Sequence, residues 1–472
     1  MTWPDRFFQQ IRLSGENTLM NTKLLFSNRD LKSLIIPLII EQVLAVTVGI
    51  EDTIMVSSVG EAAVSGVSLV EMINVLLINL MAALATGGAV VVSQYLGAKQ
   101  REKACRSSNQ LLLVTMLFSG VIMVVSIIFR VQILGLVFGK IDKDVMSSGL
   151  TYLWISALSY PLIGLYNSCA ALFRVMGNAR IPMYSGLVIN VLNITGNAVF
   201  IYGFHWGVAG VSVSSLISRL IGSLILLILL TNPQRDVFIL LKRKSFLPDV
   251  AAIRKILFIG IPSGLENSLF QLGRVLVVSI IASFGTVQIA ANAVANNLDS
   301  LGCIPGQALS LAMITVVGRC VGAFDFDQAK YYAKKLLKIT YVITIGVDAV
   351  ILLFLPLLLK VYNLSDQTIQ LAYILVFIHN GCAMLLWPTA FTLPNALRAA
   401  SDVRFTMVVS IASMCLFRLV FSYILGIVLG YGAIGVWIAM IMDWVCRAGF
   451  FALRFRSDKW KTKYIPDAPL HT

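Results

Sequence analysis

Carboxylates and amides stand inside apolar stretches of this chain, where they could hold a small cation or a proton. Asp52 lies in one such stretch, and Asn193 and Asn197 lie in another. A spacing of four places both amides on one face of a helix. Hard cations prefer carboxylate, amide and hydroxyl oxygens, so the sequence predicts a Na+ site at these three residues, with a proton as the alternative ion. The amides could instead only bond neighbouring helices.

A second set of polar residues is predicted to face a central cleft. Glu41 and Glu266 each stand about ten residues into an apolar stretch, about 15 Å deep at ~1.5 Å per residue. Such a symmetric pair would suit an organic cation or a proton relay, unless each carboxyl group is protonated and bonded to a neighbour. Asp299 and His379 are further cleft candidates, although a structural partnership is the first interpretation of the histidine.

A third set is predicted to be structural. Asp443 and Arg447 are four residues apart, and Arg418 lies in the preceding apolar stretch. A carboxylate inside a membrane span is costly unless it is neutralised, so an ion pair that fixes helix packing is the favoured interpretation.

Enzyme chemistry has little support in the sequence. The chain has only three histidines, and no HExxH or GxSxG motif occurs in the apolar stretches. The seven cysteines are scattered, without the paired spacing of a disulfide framework or a zinc site. We therefore expect no catalytic residues and no cofactor beyond a coupling ion, Na+ or H+.

The elements that must position these residues are membrane-spanning helices. The chain has 472 residues, 58% hydrophobic and 13% charged, against roughly 25% charged in soluble proteins. A span needs ~20 apolar residues, and the absence of alternating strands disfavours a barrel. Twelve spans are predicted: 31–57, 64–94, 109–130, 147–173, 182–204, 208–231, 253–283, 288–321, 336–361, 367–397, 405–430 and 432–455.

The net charge of +14 is explained by membrane topology, with no need for a nucleic-acid partner. Most lysines and arginines fall in alternate loops and near the two termini. Under the positive-inside rule both termini are then cytoplasmic, and the chain is predicted to lie in the inner (plasma) membrane. The basic residues on the opposite side are only Arg130, Lys140, Lys143 and Lys360.

The sequence repeats itself weakly at a fixed offset, which aligns Pro37 with Pro262, Glu41 with Glu266 and Gly97 with Gly322. Two six-helix bundles related by a pseudo-twofold axis along the membrane normal are predicted, an arrangement typical of alternating-access carriers and also found in channels. The predicted parts are an N-terminal cytoplasmic segment (1–30), two bundles (31–231 and 253–455), a cytoplasmic linker (232–252) and a cytoplasmic tail (456–472).

From about 31 to 455 the chain resembles the multidrug and toxic compound extrusion (MATE) family. The likeness rests on five moderately specific motifs: a proline and an acidic residue in span 1, a glycine before an alanine-rich span 2, an arginine and Pro-Met around the turn after span 4, a pair of asparagines in span 5, and a Gly-x-x-Gly step opening span 6. They are Pro37 with Glu51-Asp52, Gly60 to Ser68, Arg174 to Met183, Asn193 with Asn197, and Gly207 to Ser215.

The resemblance implies a cation site in the N-terminal half. Carried over position by position, its residues become Asp52, Asn193, Asn197, Ser215 and Asn167. The C-terminal half departs from the NorM-like branch, because Glu266 stands about one turn early and span 10 offers His379 where that branch has an acid. The chain is therefore predicted to lie closer to the DinF-like branch.

The resemblance implies an antiporter that exports drug-like, cationic organic compounds in exchange for Na+ or H+ by alternating access. The predicted partners are a small organic substrate and the lipid bilayer, and the chain is expected to be a monomer. A flippase for lipid-linked sugars is the alternative within the same superfamily. A channel and a membrane-embedded enzyme are the alternatives from other classes.

Overall fold

The computed structural model describes residues 24–139, 142–240, 243–362 and 364–464. These residues form helices and connecting turns without a strand, and eleven helices are long and apolar enough to cross a membrane. A bent pair of shorter helices supplies a twelfth span. The all-α, polytopic membrane class is confirmed. Most of the predicted N-terminal segment (residues 1–23) and the end of the tail (465–472) lie outside the described residues.

Within the described residues, the first half contains eight α-helices. They are α1 (Asn28–Ser57), α2 (Glu61–Gly97), α3 (Arg101–Ile128), α4 (Arg130–Phe138), α5 (Lys143–Leu158), α6 (Tyr160–Val175), α7 (Arg180–Asn197) and α8 (Gly207–Leu230). The second half contains seven, and they are α9 (Val250–Ala282), α10 (Thr286–Gly322), α11 (Phe326–Lys360), α12 (Asp366–Trp387), α13 (Leu393–Ala399), α14 (Val403–Ser413) and α15 (Gly432–Arg456).

The fourth span differs from the continuous helix predicted over 147–173. It consists of α5 and α6, which meet at Ser159 with a bend of 46°. Pro161 explains the break, because proline is tolerated in the first turn of a helix but removes a backbone donor and clashes inside one. The short α4 before this span was not predicted either.

The predicted repeat recurs as repeated local structure. Helices α2 and α10 have 37 residues each, and the glycine before each has a positive φ, 136° at Gly60 and 97° at Gly285. Only glycine adopts such a conformation without strain. Pro37 and Pro262 lie inside α1 and α9, the first helices of the two halves. The halves therefore share backbone detail as well as hydropathy.

Four π-helical segments interrupt the spans. Ala198–Gly203 follows α7, and Ile424–Val428 stands at the corresponding place in the second half. Pro388–Thr392 and Met414–Phe421 have no π-helical counterpart in the part of the first half that the structure describes. A π-bulge accommodates an extra residue in a helix. The Met414–Phe421 segment therefore accounts for a one-residue change of register between the equivalent pair Arg180 and Arg404 and the later pair Gly207 and Gly432.

The two halves pack together at one end of the bundle, which we call the basic end. Here α2 and α10 terminate at the turns 98–100 and 323–325, and the helices that begin or end at these turns carry basic residues such as Arg101, Arg319 and Lys330. Two hydrophobic clusters at this end join the halves; in one of them Leu34 and Leu38 of α1 pack with Met313 of α10. The clusters toward the far end of the spans each belong to a single half. The halves are therefore closed against each other at the basic end.

A crossing of α2 and α10 seals the basic end. A Cβ atom added at Gly97 would stand 2.0 Å from the carbonyl oxygen of Arg319, and one added at Gly322 would stand 1.9 Å from that of Gln94. Gln94 and Arg319 stand at the same offset as Gly97 and Gly322, so the two contacts are equivalent under the repeat. Only glycine permits backbones to approach this closely. Gln94 Nε2 also donates to the carbonyl oxygen of Ala399, at 2.9 Å.

Candidate functional site

Three helices of the first half bring the predicted cation-coupling residues together. Asp52 lies near the end of α1, Asn193 and Asn197 lie near the end of α7, and Ser215 lies on α8. All four side chains are buried, and Asn193 and Asn197 have no exposed surface. The backbone changes from α-helix to π-helix immediately after Asn197. Such interruptions are frequent at functional sites because they redirect neighbouring side chains.

Hydrogen bonds join these four side chains into one cluster. Asn197 Nδ2 donates to Asp52 Oδ1 at 2.7 Å, and Ser215 Oγ donates to Asp52 Oδ2 at 3.2 Å. Asn193 Nδ2 donates to Ser215 Oγ at 2.9 Å, and Asn197 Nδ2 also reaches Asn193 Oδ1 at 3.2 Å. The two asparagines therefore share a helix face, as their spacing predicts. We call Asp52, Asn193, Asn197 and Ser215 the Asp52 cluster.

The oxygen atoms of the Asp52 cluster suit a hard cation or a proton. Asn197 Oδ1 is buried without a hydrogen-bond partner, which is costly unless a ligand satisfies it. Within the described residues no group of three or more His, Cys, Asp or Glu side chains is placed to hold a metal ion. An ion here would therefore be held by one carboxylate with amide and hydroxyl oxygens, a set compatible with Na+.

A polar network beside the Asp52 cluster was not predicted from the sequence. Glu71 Oε2 accepts from Asn74 Nδ2 at 2.9 Å and from the Tyr152 hydroxyl at 3.3 Å, and the Tyr160 hydroxyl donates to Asn74 Oδ1 at 2.8 Å. Arg219 of α8 donates to Ser159 Oγ at 2.8 Å, at the bend between α5 and α6. The Glu71–Asn74 spacing of three was the available signal, because it places both on one helix face.

Asn167, the fifth residue implied by the resemblance, lies apart from the Asp52 cluster. It lines a small cavity of about 60 Å³ together with Arg174 and Thr86, and its Nδ2 is buried without a partner. Asn190, one turn before Asn193, donates to the carbonyl oxygen of Gly186 at 2.8 Å. The described contacts thus unite four of the five residues, and Asn167 faces the interface with the second half.

The two predicted cleft glutamates form the same ion pair in each half. Glu41 Oε1 pairs with Arg174 Nη2, and Glu266 Oε1 accepts from Arg398 Nη2 at 2.6 Å. Arg174 and Arg398 are repeat equivalents, so the pairing follows the internal symmetry. Only the Glu266 pair lines the large cavity between the halves, whose volume is about 570 Å³. A role of either glutamate in substrate binding stays a prediction.

Asp299 and His379 form a pair in the second half. His379 Nε2 lies 2.8 Å from Asp299 Oδ1, and His379 Nδ1 lies 3.0 Å from Asn380 Oδ1. Asp299 lines the large cavity, whereas the His379 ring is buried behind it against Trp437 and Trp444. The histidine therefore positions the carboxylate rather than facing the cavity itself.

The predicted structural ion pair is present within α15, and side chains of α14 and of its π-helical extension contact it. Arg447 Nε donates to Asp443 Oδ1 at 2.8 Å, and Ser413 Oγ donates to the same oxygen at 2.5 Å. Arg418 Nη1 is 4.0 Å from Asp443 Oδ2. Asp443 is completely buried, and Arg447 provides its principal neutralising charge because it is nearer than Arg418. Arg418 and Arg447 also line the large cavity, which the sequence did not indicate.

Comparison with known proteins identifies the repeat as two copies of one family unit. The MatE family model matches residues 37–199 and again residues 262–424. Both bounds of the second match are displaced from those of the first by the offset that aligns Pro37 with Pro262, as predicted from the sequence. Together the two matches cover more than half of the chain.

Relatives are similar over nearly their whole length. The chain is 30% identical to the uncharacterized transporter YisQ of Bacillus subtilis over 441 residues, covering 92% of this chain and 95% of that protein. It is 26% identical to the probable multidrug resistance protein NorM of Thermotoga maritima over 447 residues, covering 93% and 94%. Neither relative tests the predicted position near the DinF-like branch.

Solved structures share the fold. A MOP superfamily transporter from Pyrococcus furiosus superimposes with a TM-score of 0.84 at 22% identity, covering 92% of this chain and 96% of that one. An outward-facing MATE family transporter matches with the same TM-score and coverage at 21% identity. Members of this family are transporters and not enzymes. With both halves matched by the family model, the chain belongs to the MatE family of multi-pass membrane transporters.

Proposed function

We propose that this protein is a secondary antiporter that exports drug-like organic compounds in exchange for Na+ or H+ bound at the Asp52 cluster. One observation carries the proposal: Asp52 is buried, it is held by Asn197 and Ser215, and Asn197 Oδ1 beside it has no partner. A buried carboxylate with an unsatisfied oxygen next to it favours binding of a cation or a proton. The multidrug resistance name of the relative from Thermotoga maritima supports the substrate class.

Helix α1 offers a physical link between the ion and the conformation. Asp52 lies toward one end of α1, while Leu34 and Leu38 toward the other end pack into the cluster that closes the basic end. An ion that neutralises Asp52 changes which side chains α1 can bond. An ion shifts the equilibrium only by its difference in affinity between the two states, and each tenfold difference supplies about 1.4 kcal/mol.

The direction of transport follows from the predicted topology. The positive-inside rule places the basic end in the cytoplasm. The described conformation is closed there, so it corresponds to the outward-facing state of the cycle under this proposal. An ion entering from outside would bind at Asp52 and favour the transition that opens the basic end to a cytoplasmic substrate.

The carboxylates that line the large cavity bear on the charge of the substrate. The sequence predicts a cationic compound, which would need a carboxylate free to pair with it. Within the described residues the two carboxylates that line the large cavity already have partners, Glu266 in Arg398 and Asp299 in His379. The cavity accordingly supports export of organic compounds more strongly than it supports a preference for cations.

The test is transport in liposomes of purified protein, with a fluorescent compound and an imposed gradient of either Na+ or H+ alone. Asp52→Asn keeps the size of the side chain and removes its charge. We expect gradient-driven transport to fall more than tenfold in this variant, because the differential ion affinity is lost. Whichever gradient drives the wild-type protein identifies the coupling ion.

The matched control is Glu61→Gln, which neutralises an exposed carboxylate in the first turn of α2. This variant should transport like the wild type. Transport by Asp52→Asn that keeps the wild-type rate and its gradient dependence would overturn the assignment of the coupling site. Transport by the wild type that ignores both gradients would overturn antiport.

A further inference from the structure

The large cavity combines aromatic walls with an unusual number of arginines. It lies between the halves, has a volume of about 570 Å³ and is lined mostly by the second half. Its apolar surface includes the rings of Phe270, Trp387, Phe391 and Trp444. Flat rings of this kind hold aromatic ligands by stacking and by burial of apolar area. The cavity therefore suits a compact molecule with an aromatic body.

The charges around this cavity are not balanced. Four guanidinium groups line it, against the two lining carboxylates of Glu266 and Asp299. Two further carboxylates lie behind the wall, Asp443 beside Arg447 and Asp348 near His379 and Asp299. Among the residues that line the cavity, arginines exceed carboxylates by two. Glu266 forms an ion pair with Arg398 at 2.6 Å, and Asp443 forms one with Arg447 at 2.8 Å. The arginines left without a carboxylate of their own are Arg274 and Arg418.

The guanidinium group of Arg418 has N–H donors with weak partners or none among the described residues. The residue is 8% exposed, its Nη1 reaches Asp443 only at 4.0 Å, and its Nη2 donates to the sulfur of Met440 at 3.2 Å. Its Nε has no hydrogen-bond partner among the described residues. The guanidinium carbon stands 4.9 Å from the centre of the Phe270 ring. A buried charge with weak partners is costly, and an anion supplies what it lacks.

Arg274 adds a second, accessible guanidinium. It lies on α9, lines the same cavity, and forms no ion pair among the residues that the structure describes. Planar guanidinium groups bind carboxylate, phosphate and sulfonate through paired N–H donors. Two such groups line this one cavity.

Comparison of equivalent positions in the internal repeat shows how the second half differs from the first at this place. At the offset that aligns Pro37 with Pro262, Asn193 corresponds to Arg418, Ser215 to Met440 and Asp52 to Val277. The Arg418–Met440 contact takes the place of the Asn193–Ser215 bond. Where the first half has the carboxylate of Asp52 and oxygen ligands for a cation, the equivalent positions of the second half hold the apolar Val277 and the permanent cation of Arg418. The two halves have thus acquired sites of opposite charge.

We propose that this cavity binds an organic anion, with its carboxylate or other anionic group on Arg418 and Arg274 and its aromatic body against Phe270, Phe391 and Trp444. The inference names the substrate class of the proposed antiporter and rests on that function. It replaces the cationic substrate predicted from the sequence. The same anionic chemistry is available from a soluble aromatic acid and from the headgroup of an anionic lipid, and the experiment distinguishes these sources.

The test is equilibrium binding of 2-naphthoate and of 2-naphthylmethylammonium, which have the same ring and opposite charge, to the full chain in nanodiscs of neutral lipid. Calorimetry gives the affinities. We expect naphthoate to bind and the ammonium compound to bind at least tenfold more weakly. Arg418→Met and Arg274→Gln should each weaken naphthoate about tenfold, the scale of one charge-assisted hydrogen bond. Arg404→Gln, outside the cavity, is the matched control.

Tighter binding of the ammonium compound, or unchanged naphthoate binding in both arginine variants, would overturn the proposal. Repeating the titration in nanodiscs with phosphatidylglycerol separates the two sources. An unchanged affinity assigns the site to soluble anions, and competition that disappears in Arg418→Met assigns it to a lipid headgroup. Binding needs no ion gradient, so naphthoate binding by a wild-type protein whose transport ignores both the Na+ and the H+ gradient would overturn the antiport mechanism and leave this site intact.

Discussion

Replacing Gly322 by alanine should shift this transporter away from the conformation that is closed at the basic end. The added Cβ would stand 1.9 Å from the carbonyl oxygen of Gln94. Carbon and carbonyl oxygen normally approach no closer than about 3.3 Å, so α2 and α10 would have to separate by roughly 1.4 Å. Gly97→Ala should act in the same way, because its Cβ would stand 2.0 Å from the carbonyl oxygen of Arg319.

The size of the shift follows from the cost of overpacking. An additional methyl group in a closely packed contact costs about 1–3 kcal/mol when its neighbours are backbone atoms that cannot rotate away. The clash exists only while the basic end is closed, so the whole cost falls on that state. The ratio of closed to open molecules should therefore drop by a factor of about 5 to 150. Alanine is otherwise a better helix former than glycine, so a purely local effect would have the opposite sign.

Spin labels at Glu102→Cys and Asp327→Cys would report the change as a distance. These exposed residues are repeat equivalents in the first turns of α3 and α11, and the seven native cysteines would first be replaced. We expect pulsed electron resonance to show a longer distance in Gly322→Ala. Gly120→Ala and Gly346→Ala are matched controls, since a Cβ at either position meets nothing within 4 Å. Identical distance distributions in Gly322→Ala and the wild type would refute the reasoning.

Further predictions concern ion pairs. Glu266→Gln should lower the free energy of unfolding in detergent by about 3–5 kcal/mol, because it leaves Arg398 buried without its carboxylate. The double variant Glu266→Gln with Arg398→Met should recover most of this loss. A double variant that is less stable than the single variant would contradict the prediction. Asp458, beyond the last span, forms an ion pair with Lys330, in which Lys330 Nζ lies 2.8 Å from Asp458 Oδ1. Burial raises its pKa, but the bonds and charges of Lys330 and Lys461 hold the pKa below its usual range. A folded-state pKa that is lowered gives stability that is lost only as the pH falls through it. A spin label at Thr462 should therefore stay constrained at neutral pH and become mobile only at strongly acidic pH. In Asp458→Asn the label should be mobile at every pH. Equal mobility in both proteins at neutral pH would refute a stabilising role of the Asp458–Lys330 ion pair.

Much of the architecture could be predicted because lipid restricts the solutions available to a chain. Long apolar stretches must be helices there, since each exposed backbone group would be unsatisfied, and the twelve spans follow from that restriction. The repeat was visible because Pro37, Gly60 and Gly97 recur at a fixed offset. The bend at Ser159 and the π-helical segment after Ser413 depend on how neighbouring helices pack, so hydropathy did not show them.

The Asp52 cluster was predictable in part. Asn193 and Asn197 are four residues apart, a local spacing that fixes a shared helix face, and the resemblance joined them to Asp52 and Ser215. The same procedure placed Asn167 in the cluster, where the described contacts do not include it. Its helix α6 follows the bend at Ser159, and the rotation of a helix after a bend is set by its packing neighbours rather than by its own sequence.

The helical class, the twofold repeat, the segregation of basic residues to one end and the polar residues of the first half can be predicted from the amino-acid sequence, because each follows from composition or from spacing along the chain. Which charges neutralise one another depends on how the helices pack in three dimensions. Glu41 meets Arg174 and Glu266 meets Arg398 across separations of more than a hundred residues, and Arg418 is left with weak partners beside aromatic rings. Charge balance at a point in space depends on every helix that reaches it, and no spacing along the chain records that sum.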